Sequence, residues 1–234
     1  MITYRGDGQN RYMLIRSIVL IFSLVLLCQA TWILASELAR PPLMGVPNSS
    51  AAAAAAAGNR KQAALAASFG VVRGDLWAQD ALTYFELFLN DGLMVANEKV
   101  NASAPEARDA AYRALHFAPH DARIWLILAA LDSRLDWLRG ETASSLQMSY
   151  YTGANESALI PLRLRLAVQS PSLDEKDFQQ LVRHDIQNIA LRKPDLGFAI
   201  EMAYRDAPLQ GRQLIEDALN EIDPSLMKRL RLSK

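Results

Sequence analysis

From Ser17 to Ala35 the chain reads SIVLIFSLVLLCQATWILA, nineteen residues without a charge and with Gln29 as the one strongly polar side chain. As a helix this stretch covers about 28 Å, close to the hydrocarbon thickness of a bilayer. Two outcomes fit it: a membrane-spanning anchor, or a secretory signal cut near Ala30 or Ala35. The run overshoots a usual signal core, and Leu27 before Cys28 is not the small residue a lipoprotein signal requires, so the anchor is the expectation. Trp32 stands near its far end, where an indole suits the membrane interface. Arg5, Arg11 and Arg16 precede the run against Asp7 alone, which puts the N-terminus in the cytoplasm and the bulk of the chain across the membrane. Under either outcome the remainder leaves the cytoplasm, and the expected place is the inner membrane with a periplasmic body.

That remainder is bounded by charge and sulfur. Lys plus Arg number 25 and Asp plus Glu number 25, so the basic excess that marks a nucleic-acid binder is missing. The one cysteine, Cys28, lies inside the apolar run, so no disulfide or cysteine-based zinc site can form in the soluble part. Composition shifts divide the chain into a polar N-terminus (1–16), the span (17–35), a Pro- and Ala-rich tether (36–70) and a helical domain (71–234). Pro41, Pro42, Gly45 and Pro47 break structure in the tether; alanine favours helix, but 51–57 is a marginal run alone in water, so the tether is expected to be partly helical at most.

The domain is organised around residues 104–135, APEARDAAYRALHFAPHDARIWLILAALDSRL. Ala107, Ala111, Ala114 and Leu115 recur on one face of a 3.6-residue period. Pro105 and Glu106 suit a first turn. Pro119 ends that helix, and Asp121 is placed to cap the next by accepting a bond from an orphan backbone N–H. Trp125, Leu128, Ala129, Leu131 and Leu135 make the second helix's apolar face. Helices also read from Gly74 to Leu89, from Gly140 past Tyr150, from a capping box at Ser172–Glu175, from Pro194, and from Leu209 to Ile222; Asp223 and Pro224 begin a short terminal one. Residues 158–168, ALIPLRLRLAV, fit a strand period and a helical stripe alike. A lone strand would lack a ladder partner, so a helix is expected. The fold class is all-α: antiparallel hairpins stacked behind one transmembrane helix.

These residues resemble the tetratricopeptide repeat. Ala107, Ala114 and Pro119 match the second-helix spacing of that family, with Ala111 at the aromatic place. Trp125, Leu128 and Ala129 match the opening of the following repeat, with Asp132 at the tyrosine place. Trp77, Ala81 and Tyr84 match the first helix of the earlier repeat, with Asp80 at the leucine place and about 14 extra residues before the partner helix. The resemblance implies an α-solenoid scaffold that binds a protein or peptide on a concave face lined by first helices. It places Arg123, Ala130 and Arg134 on that face, where two arginine forks flanking a small residue would hold a partner's carboxylates. By analogy it also suggests surface-polysaccharide or secretion machinery of a bacterial envelope.

The second functional class is a helical enzyme or ligand-binding domain with a pocket between helices. The sequence offers it little. His116 and His120 have an i, i+4 spacing, but Pro119 interrupts their helix and no glutamate follows His116, so no metal ligand set is assigned. No G-x-S-x-G turn and no phosphate-cradling glycine loop occurs. Asp75, Asp80 and Glu86 lie along a helix with no histidine to partner them. The expectation is therefore no catalytic residue and no cofactor.

Overall fold

The computed structural model describes residues 7–42, 45–47, 50–85, 98–134 and 139–232. Among these residues the chain is all-α, with twelve α-helices and no strand. They are α1 (Asp7–Leu38), α2 (Ser50–Gly58), α3 (Arg60–Gly70), α4 (Gly74–Leu82), α5 (Glu98–Phe117), α6 (Ala122–Arg134), α7 (Arg139–Thr152), α8 (Ile160–Ala167), α9 (Lys176–Arg192), α10 (Gly197–Asp206), α11 (Leu209–Ile222) and α12 (Pro224–Leu232).

Among the described residues one helix is long and apolar enough to cross a membrane: the Arg11–Leu38 part of α1, none of whose most apolar window is buried inside the molecule. It does not end in a free tether. Trp32 Nε1 donates to the Phe69 carbonyl at 2.6 Å, and α1 packs along α3. Just beyond, Arg73 pairs with both Glu37 and Asp75, while Arg40 bridges Glu37 and Asp75 at 3.4 and 3.5 Å. Within the 36–70 stretch, expected as a partly helical tether, Ser50–Gly58 and Arg60–Gly70 are helices. Ala63, Ala66 and Ala67 are buried where α3 meets its neighbours. A short alanine run is marginal alone but lets helices approach closely once a partner exists.

The helices α4, α6, α8 and α10 contact one another in chain order, making a central row. Helix α5 flanks α4, α7 flanks α6 in the most extensive helix–helix contact of the molecule, and α9 packs on α11. Alanine and glycine set these spacings. Ala107, Ala110, Ala111 and Ala114 of α5 are all buried. At Gly74 a Cβ would stand 2.6 Å from the Ala118 Cβ, so only hydrogen fits where α4 crosses the end of α5.

Several expectations change in detail. Helix α5 starts at Glu98, so Pro105 lies inside it rather than in its first turn. The capping box at Ser172–Glu175 does not form: residues Pro171–Asp174 are a 3₁₀ turn, Ser170 accepts from the Ser172 N–H, and α9 begins after Glu175 without a side-chain cap. The ambiguous 158–168 segment is helical, as α8. Asp121 and Asp223 do cap, each accepting backbone N–H bonds at the start of α6 and α12. Trp125, expected to be buried, is only half-buried. Its face meets the core, and its Nε1 donates to the Pro119 carbonyl at 2.8 Å. Met202 of α10 is exposed, while Ala199 and Ala203 of the same helix are buried. Phe88 and Leu135 lie outside the described residues.

Candidate functional site

The three residues expected to face a partner are not left open together. Helix α6 has neighbours α4, α5, α7 and α8, and Ala130 is 0% exposed. An alanine on a helix enclosed on that side becomes packing, so it cannot leave room between two cations. Arg123 is partly exposed, but its guanidinium is already held: Nε and Nη2 donate to the two Asp121 oxygens at 2.9 and 2.6 Å. These bonds raise its pKa further. Arg134 closes α6, and its side chain lies outside the described residues.

Three arginine-centred clusters line the central row instead. In the first, α4 and its C-terminal cap bury three polar side chains, Gln79, Asp80 and Thr83. The Asp80 carboxyl is 4% exposed, and its Oδ1 has no hydrogen-bond partner. Burial raises its pKa from 3.8 to about 6, against the opposing charges of Arg113 and Arg60. Both arginines lie over aromatic faces, Arg113 over Trp77 and Arg60 over Tyr84, 5.1 and 4.1 Å from the ring centres. In the second cluster Arg108 of α5 reaches across to α6, donating to Asp132 at 3.2 Å and to the Tyr112 hydroxyl at 3.0 Å. Asp132 is buried, and this cross-helix bond holds its carboxylate.

The third cluster escaped the sequence reading. Arg163 of α8 is the largest fully buried side chain, 0% exposed. Its Nε and Nη2 donate to the two oxygens of Asp185 on α9, both at 2.9 Å, and Nη1 donates to the Gly153 carbonyl at 2.9 Å. The guanidinium stacks over the Tyr150 ring at 4.3 Å, whose other neighbour is Phe178, edge-on. One fork thus joins α7, the turn after it, α8 and α9. Burial raises the Asp185 pKa while Arg163 opposes it; burial, then the Asp185 charge, push the Tyr150 hydroxyl well above its usual range. The signal was available in principle: an arginine between leucines in a helix whose other faces are apolar has nowhere wet to go.

Chemically these clusters hold and orient; none sets a nucleophile beside a base. His116, His120 and His184 are all exposed, and His184 bonds Asn188 on its own helix. The described residues contain no group of three side chains able to hold a metal ion. A cleft of about 140 Å³ opens between α9 and α11, lined by Gln179, Arg183, Gln210, Gln213 and Asp217 with Leu173 and Leu214. Arg183 reaches Asp217 and Glu221 only at 4.0 and 3.8 Å, and both carboxylates are mostly exposed.

Fold and clusters together define an all-α protein of packed hairpins behind one helix of membrane-crossing length. No protein-family model, no curated protein and no solved structure shows a significant match to the chain.

Proposed function

We propose that this chain is a membrane-anchored, tetratricopeptide-like scaffold of a bacterial cell envelope, with its N-terminus in the cytoplasm, its helical body outside, and a protein partner as its ligand. The observation that carries the reading is a repeated latch. In α4, Trp77 Nε1 donates to the Val71 carbonyl at 2.9 Å; in α6, Trp125 Nε1 donates to the Pro119 carbonyl at 2.8 Å. Each reaches six residues back, across the turn that precedes its helix. Two tryptophans at equivalent places, making the same bond, support descent of the two hairpins from one unit. The central row of α4, α6 and α8 supports stacking of that unit.

For the partner surface, the α9–α11 cleft and the outer side of Arg123 are the open polar candidates. Glutamine amides donate and accept together, which matches the backbone of an extended peptide. The weakly paired Arg183 adds a cation at its edge. Surface-polysaccharide or secretion assembly stays an analogy within this proposal.

The test is photo-crosslinking of the anchored protein in its bacterial membrane, with the reactive residue at Gln213 and, separately, at Arg134, followed by detergent purification. A discrete adduct from either position supports the scaffold. The Arg123→Glu, Arg134→Glu double variant should lower recovery if their face binds; wild-type recovery by a folded variant assigns binding elsewhere. The second reading, a helical enzyme or ligand-binding domain, draws on Asp80 with its unpartnered oxygen. Under the scaffold reading Asp80→Asn leaves partner recovery unchanged.

A further inference from the structure

The turn between α3 and α4 has three unusual properties at once. It is apolar and exposed: Phe69, Val71 and Val72 stand in solvent, Val72 at 71%, with Leu65 one turn earlier on α3 also exposed. It is strained: Val71 has φ 37°, among the described residues the one non-glycine with positive φ. A β-branched residue there is disfavoured by its Cβ, where glycine or asparagine would fit. And it lies beside α1, because the Trp32 indole bonds the Phe69 carbonyl.

Depth follows from that bond. Phe69 stands level with Trp32, three residues short of Ala35, or about 4.5 Å along the helix axis. Below this level the groove between α1 and α3 is lined by Leu27, Cys28, Thr31, Trp32 and Phe69, almost wholly apolar. Immediately above it lie the charges Glu37, Arg40, Arg73 and Asp75. An apolar band under a charged belt, on two elements at one height, is the profile of a bilayer interface.

We propose that the α3–α4 turn is a second membrane contact: Leu65, Phe69, Val71 and Val72 sit in the interfacial layer of the bilayer that α1 crosses, and hold the helical body against the membrane. This rests on α1 being a membrane span. The occupant is lipid because the patch lies beside the exposed apolar surface of α1, joined to it by the Trp32–Phe69 bond and the groove beneath, and because it ends at the charged belt. An exposed valine at the strained position 71 has a physical reason here, since its side chain gains an apolar phase that glycine or asparagine would not use. The body then has a fixed tilt and reach, and a partner must be engaged close to the membrane surface.

The experiment uses the full-length chain in vesicles of equimolar phosphatidylcholine and phosphatidylglycerol. A nitrobenzoxadiazole label is placed on native Cys28, or, in a Cys28→Ser background, on Val72→Cys, Leu65→Cys or Leu209→Cys. Leu209, exposed at the start of α11, serves as the solvent reference. Lipids carrying shallow or deep doxyl groups, and aqueous iodide, are the quenchers. The expected result is quenching of the Val72 and Leu65 labels by shallow doxyl about fivefold above the Leu209 label, with deep doxyl quenching Cys28. If Cys28 is quenched but Val72 and Leu65 behave as Leu209 does, the second contact is overturned while the span stands. If these two labels are shielded from iodide and doxyl alike, protein covers the patch and the proposal is also overturned. If Cys28 itself is not reached by lipid quenchers, the span reading falls and this inference falls with it.

Discussion

Arg73 and Arg163 both reach carboxylates across helices, yet they hold the molecule in opposite solvents. Arg73 joins Glu37 of α1 to Asp75 of α4 at a surface where all three side chains stay partly exposed. Arg163 joins α8 to α9 with no exposure at all. Water screens the first set and competes for its hydrogen bonds, so its geometry carries little net energy. In the second, Asp185 and the Gly153 carbonyl replace the water that burial removed, and losing either member of the ion pair strands the other's charge. Asp80 lies between these cases: buried like Asp185, but with one oxygen unsatisfied and its cations lying over aromatic rings. The comparison teaches that an ion pair's weight depends on what solvent its partners have displaced.

The largest effect is expected at the dry pair. Either Arg163→Ala or Asp185→Ala should cost about 3–5 kcal/mol in denaturation of the detergent-solubilised chain, and an Arg163→Met, Asp185→Leu double variant should recover most of it. A single variant near wild-type stability would mean that water reaches the pair. Asp80 sharpens the contrast by acting with the opposite sign. Its folded pKa of about 6 lies above the ordinary 3.8, so the fold favours the protonated form. Stability from this group is full below about pH 4, is lost as pH rises through 6, and is level above. At neutral pH the loss is about 3 kcal/mol, which Asp80→Asn should recover while flattening the acid-side dependence. An unchanged pH profile in that variant would assign the titration to another group.

The repeated indole latches come next. Trp77→Ala and Trp125→Ala should each cost about 2 kcal/mol, from one hydrogen bond and partial burial, and by nearly equal amounts. Unequal costs would weaken their equivalence. Val71→Gly should raise stability in detergent by about 1 kcal/mol through release of the positive-φ strain. The smallest effect is expected at the wet set: Arg73→Ala should shift the midpoint less than any of these, and the shift should vanish in about 1 M salt, where the screening length is about 3 Å.

Much of this fold was legible because helices announce themselves locally. Proline at 119, aspartate at 121 and 223, and the apolar period of α11 act within a few residues, so their reading does not depend on partners. The apolar run 17–35 is likewise a property of composition. What failed, failed where a distant element decides. In the 36–70 tether, which its breakers and short alanine run left partly helical at most, the burial of Ala63, Ala66 and Ala67 comes from packing of α3 on α1 and α4. Ala130 read as an open position because one helix's face pattern cannot say that four other helices surround it. Arg163 and Asp185, separated by 22 residues, read as the polar side of two helices.

The sequence by itself determined the all-α class, one helix of membrane-crossing length, the main hairpin turn and the exclusion of cysteine chemistry from the body. Each follows from short-range propensity or from counting. Only the tertiary structure decided which charges are dry, that the helix of membrane-crossing length meets the body through Trp32 and Arg73, and that two valines stand exposed beside it. Those outcomes depend on which helix lies against which, and burial, unlike helix propensity, is a property of the neighbours.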